Sequence, residues 1–142
     1  MKRRDTLMRI KRFRVDEFKR RLGTLEAMRA DLERKLSDLE DSVARERHRA
    51  NDSDIGRLAF PSFLRSIDTR RENLRATMME IERERAQAQA DLTTAFQDLK
   101  SLELATEQQA KRAADAENLR SQSRLDEMAL VRHLRKHALR QV

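Results

Sequence analysis

His133 and His137 stand one helical turn apart, the i, i+4 spacing that sets two imidazoles on one helix face and can hold a metal ion. Two imidazoles fill only part of a coordination sphere, and the nearest carboxylates, Asp126 and Glu127, lie about two turns away. The third histidine, His48, is remote in the chain. With no cysteine there is no thiolate ligand and no disulfide framework. Nor is there a glycine-rich phosphate loop, a tyrosine or a tryptophan. Acidic side chains are abundant, but paired carboxylates on an exposed helix do no acid–base work without a pocket to perturb them. The expectation is therefore a chain with no catalytic residue, no cofactor and no metal, whose function is binding rather than catalysis.

Composition narrows the elements that could do the binding. Of 142 residues, 40% are charged and 4% aromatic, all of these phenylalanine, which is too little for an ordinary globular core. Long helices or disorder remain. The formal net charge is +7, and it is unevenly spread. Residues 1–22 hold ten Lys or Arg against three acids, and residues 131–142 add Arg132, Arg135, Lys136 and Arg140 with no acid at all. Basic ends imply an anionic partner: nucleic acid, lipid headgroups or an acidic protein surface. The start, MKRRDTLMRIKRF, lacks the apolar stretch of a signal peptide, and the longest apolar run, Met128 to Val131, cannot span a membrane. The lack of cysteine fits a reducing cytosol.

Two stretches carry the alternating three- and four-residue steps of a coiled-coil seam. The first is Phe18, Leu22, Leu25, Arg29, Leu32, Leu36, Leu39 and Val43. The second runs from Leu64 through Ile67, Arg71, Leu74, Met78, Ile81, Arg85, Ala88, Leu92, Ala95 and Leu99 to Leu102. Arg29, Arg71 and Arg85 interrupt them; each either fixes the register or simply reaches out to water. Between the seams, residues 49–64 read RANDSDIGRLAFPSFL and contain Pro61, the sole proline, and Gly56, one of two glycines. Such a cluster predicts a reversal. The fold class is all-α: a long antiparallel two-helix hairpin in a single domain, with helix 1 over about 4–50, a tip loop over about 51–60 and helix 2 over about 61–138. Phe60 and Phe63 are expected to close the seam at the tip. Gly23, inside helix 1, suggests a close approach or a slight bend. Pairing Val43 with Leu64 makes opposed residue numbers add to about 107, so that helix 2 outruns helix 1 near residue 103. The remainder is expected to fray or to dock elsewhere. A monomeric hairpin is the expected state, with self-association through the overhang compatible with it.

A basic segment ahead of leucine heptads superficially matches a DNA-binding basic zipper. Here, however, Ile10, Phe13, Val15 and Phe18 interleave with the charges, giving that helix an apolar face to bury. A basic coiled coil that binds nucleic acid is kept as an alternative function, without specific base recognition.

Three features carry a family resemblance: the stretch RDTLMRIKRFRVDEFKR over residues 4–20, the tip AFPSFLRS over 59–66, and a short first helix followed by a longer second one. In these the chain resembles the FliJ family of flagellar export proteins, especially the alphaproteobacterial form. Injectisome stalk proteins share the build and give the other alternative. The resemblance implies a nonenzymatic coiled coil similar to the central stalk of rotary ATPases. It implies three partners: the hexameric flagellar export ATPase, the export gate in the membrane, and some export chaperones. It also implies a cytoplasmic protein peripherally associated with the inner membrane at the flagellar base. Gate contacts carried over from the family fall on Leu39, Phe63, Ile67 and Leu74, of which Leu39, Ile67 and Leu74 also sit on the seam. Arg132, Arg135, Lys136 and Arg140 are the candidates for meeting the ATPase ring.

Overall fold

The computed structural model describes residues 2–140. Helix α1 spans Lys2–Asp52 and helix α2 spans Asp54–Arg140, with no strand among the described residues. Contacts divide the chain into two units, Met1–Gln97 and Asp98–Val142. In the first, the two helices pack against each other as an all-α hairpin. Its central cluster is Leu25, Leu32, Ile81 and Ala88, with Leu22, Leu74 and Met78 packed around it. Every residue of the two seams is at least half-buried, and in α1 the same spacing continues outward to Val15, Lys11 and Met8 on one side and to Glu46 and Ala50 on the other. The 3.5-residue period thus decides which face is sheltered.

The three seam arginines do more than reach water. Arg71 Nε and Nη2 donate to Oε1 and Oε2 of Glu40 at 2.7 and 2.8 Å, a two-pronged bond across the hairpin, while Nη1 donates to Asp68 at 2.9 Å. Arg29 Nη1 lies 3.5 Å from Glu82 of the opposite helix, and Arg85 Nε lies 3.7 Å from Glu26. Glu82 also accepts from Arg85 Nη1 at 3.2 Å, so Arg29, Glu82, Arg85 and Glu26 form one cross-helix chain of charges. Donating hydrogen bonds to the Glu40 carboxylate raises the Arg71 pKa above its ordinary value, against a smaller loss of hydration. A raised folded-state pKa adds stability that is lost only as pH climbs through it, so on the arginine side this pair holds at any working pH.

These bridges correct the register. Opposed numbers add to 111 in all three pairs, not to about 107. At the expected register Arg71 and Arg85 would stand level with Leu36 and Leu22, and Arg29 with Met78. A shift of about one helical turn brings a carboxylate to each guanidinium.

The tip also differs from expectation. The loop foreseen over about 51–60 contracts to Ser53, the one non-helical residue among those described. Ser53 caps α2: its Oγ accepts from Gly56 N at 3.0 Å, and its carbonyl accepts the first helical bond from Arg57 N at 3.1 Å. Asp54 adds an acid to the positive end of α2. Gly56 is there for closeness. A Cβ on it would stand 2.9 Å from the Arg49 carbonyl oxygen and 3.1 Å from Ala50 Cα. Pro61, expected in the first turn of α2, lies inside the helix instead; its missing N–H leaves the Arg57 carbonyl without its usual donor. Around it Phe60 and Phe63 stack with centroids 6.4 Å apart, and the Arg47 guanidinium sits 5.9 Å from the Phe60 ring. Gly23, by contrast, makes no close approach: a Cβ placed on it would meet nothing within 4 Å.

The two glycines therefore respond oppositely to substitution. Gly23→Ala should raise stability by about 1 kcal/mol, because only helix propensity changes. Gly56→Ala should lower it by about 1–3 kcal/mol through the clash with α1 backbone. Urea denaturation followed by circular dichroism reads both, and equal signs would refute the tip geometry. Separately, Glu40→Arg and Arg71→Glu should each lower the melting temperature, and the double exchange should recover most of the loss.

Candidate partner-binding surfaces

The residues singled out along the hairpin do not form one surface. Leu39 and Leu74 are half-buried and line a shallow groove of about 390 Å³ with Lys35, Asp38, Ser42, Arg70 and Asn73. An apolar floor between polar walls can seat an apolar side chain of a partner. Phe63 is half-buried in its stack with Phe60. Ile67 is 1% exposed and is the largest fully buried side chain, so it shapes the surface from beneath.

The tip carries two apolar side chains that the seam pattern does not select. Ile55 and Leu58 are 82% and 83% exposed, on the first turns of α2. Their signal in the sequence is apolar character inside a stretch expected to be loop. Once Ser53 starts the helix, the i, i+3 spacing puts them on one face.

In the second unit, every residue from 107 to 140 is exposed except the half-buried Ala116. Arg132, Lys136 and Arg140 follow at i, i+4 spacing along one face, and Arg135 stands on the adjoining one. Leu125, Met128 and Ala129 border Arg132 and Lys136, so the cations are set among apolar side chains. His133 and His137 stack at 6.3 Å with their rings 11° from parallel. Among the described residues no third His, Cys, Asp or Glu joins them as a possible ligand. Also among these residues, no helix is long and apolar enough to cross a membrane.

In chemical terms the chain presents an apolar groove beside the tip, an exposed apolar pair on it, and a cationic helix face in the second unit. Compared with known families, residues 1–138 match the one described as flagellar FliJ protein. No curated protein and no solved structure matches the chain.

Dialysis against a chelator should leave the melting temperature unchanged, and so should His137→Ala. A stoichiometric metal that is retained through purification and lost in His137→Ala would show that the stacked pair is a ligand set.

Proposed function

The chain belongs to the FliJ family of flagellar proteins, a coiled-coil component of type III export, and from that premise we propose that it acts as a nonenzymatic stalk coupling the export ATPase ring to the export gate. The observation that carries this reading is the exposed second unit. Helix α2 has 87 residues against 51 in α1, and its last third offers a cationic face with no buried side chain. A single exposed helix rich in alanine and glutamine gains order by docking, and Arg132, Arg135, Lys136 and Arg140 select an acidic surface for it, as the lining of a ring would present. Near the tip of the hairpin, Leu39, Phe63 and Leu74 are proposed to receive the gate, with Ile67 as their support. Export chaperones are proposed as further partners, and the site of action as the cytoplasmic side of the flagellar base.

The family match favours flagellar use over the injectisome alternative. Against the nucleic-acid alternative stands the apolar character of the basic N-terminal segment, of which Val15 is buried and Phe18 half-buried while Ile10 and Phe13, also expected to be covered, stay exposed.

Deleting residues from 112 onward should leave the hairpin's melting nearly unchanged, since almost all of the removed side chains are exposed. The same deletion should weaken capture of the purified export ATPase. Replacing Arg132, Arg135, Lys136 and Arg140 by Ala should weaken capture more at low salt than at high salt, because exposed charges are screened. Full stimulation of the ATPase by the truncated chain would move the coupling role to the tip.

A further inference from the structure

Helix α1 carries a second apolar ridge that the hairpin leaves uncovered. Leu7, Ile10 and Phe13 follow at i, i+3 spacing and remain 41%, 47% and 55% exposed. They are separate from the sheltered stripe of Met8, Lys11, Val15, Phe18 and Leu22. At 3.6 residues per turn the two stripes lie roughly a third of a turn apart, so the ridge can face outward while the stripe stays packed.

Cations frame this ridge. Arg3 and Arg14 fall within the arc between Leu7 and Ile10, one before the ridge along the helix and one after it. On one flank Arg9 stands one turn before Phe13, with Lys2 two turns before Arg9. All four are exposed. One acid, Glu17, lies on this face, a turn beyond Phe13, and Asp16 and Asp5 stand just beyond the Arg9 flank.

An apolar ridge with Lys and Arg along one flank and at its two ends fits a helix lying in a lipid interface, with its long cationic side chains reaching the headgroups and its ridge at the acyl boundary. Nucleic acid would engage the arginines through phosphate, but Leu7 and Ile10 cannot stack on bases and would gain nothing. An acidic protein would need an apolar slot of matching length and direction. A bilayer with anionic headgroups meets both the charge and the ridge without such a fit.

We propose that residues 2–14 of α1 bind an anionic lipid surface directly, with Leu7, Ile10 and Phe13 entering the interface. This rests on the membrane placement given under the proposed function, but it uses the end of α1 remote from the tip, so the lipid contact and the gate contact are separate surfaces of the chain. Vesicles without protein keep the two apart, because neither ATPase nor gate is present.

The test is co-sedimentation of the full chain with vesicles of phosphatidylcholine alone or mixed with phosphatidylglycerol. Partitioning onto the mixed vesicles should be at least about tenfold stronger, each cation near the surface giving roughly a fivefold gain. The double variant Ile10→Ser/Phe13→Ser should lose about tenfold or more of that binding while its helical circular dichroism is unchanged. Glu17→Gln should strengthen binding about two- to fivefold. Alanine at Arg132, Arg135, Lys136 and Arg140 should change it by less than about threefold, which separates this ridge from the other basic segment. Equal partitioning onto both vesicles would overturn the proposal, as would binding that survives Ile10→Ser/Phe13→Ser. Retention on duplex DNA without vesicle binding would assign the ridge to nucleic acid instead.

Discussion

Three arginines stand where a coiled-coil seam would ordinarily take leucine, and the hairpin depends on what they find across the gap. A leucine seam is nearly degenerate, since sliding one helix by a heptad brings leucines back to leucines. The bridges from Arg71 to Glu40, Arg29 to Glu82 and Arg85 to Glu26 remove that freedom because all three close at one register. A slip of one heptad in one direction would set Arg71 level with Arg47. In the other direction it would set Arg85 level with Lys19 and Arg29 level with Arg75. Like charges then oppose the wrong alignments, and although Glu33 would meet Arg85 in the first slip and Arg71 in the second, only the observed register gives all three arginines a carboxylate. Arg71 is 20% exposed at its side chain, sheltered enough for the two-pronged bond to be held in place and wet enough to avoid the full penalty of burying a charge.

Much of this architecture is legible in the residues themselves. Every position of the two seams is sheltered, because apolar spacing at 3.5 residues states which face must leave water. The register is not legible in that way. Seam spacing points to it only through where the seams begin, whereas the chain sets it by side-chain chemistry between residues dozens of positions apart. Carboxylates at Glu26, Glu40 and Glu82 carry that information, but their pairing shows only once the helices are laid together. The tip is half legible. Ser53 and Gly56 do mark the reversal, yet Gly56 serves a close passage of α1 backbone rather than a loop, and Pro61 sits within a helix that its own chemistry would be expected to interrupt.

The candidate surfaces divide in the same way. Seam spacing alone does not say that Ile67 is wholly covered while Leu39 and Leu74 line a groove. Nor does it say that Val15 is packed and its neighbours Ile10 and Phe13 are left in water. A short helix stretch with apolar residues on more than one side has to choose which to bury, and the opposite helix makes that choice. What remains exposed is the part of the apolar surface that the chain cannot satisfy on its own. Apolar residues left in water in this way are the surface that a further molecule can cover.

Ser53 alone separates the two helices, and this has a kinetic consequence. The two halves of the hairpin meet first beside the bend, where almost no chain entropy is lost in bringing them together. Glu40 and Arg71 are only 31 residues apart along the chain, and each pair farther from the bend adds a small increment of separation. Assembly can then run as a zipper from Ser53 outward, without a slow search for distant contacts. Opening runs from the far end, so backbone amides near Lys2 should exchange faster than those beside the central cluster at Leu25 and Leu32. The hairpin is thus joined by the shortest of connections at one end, held by its core in the middle, and left to part first at its basic beginning.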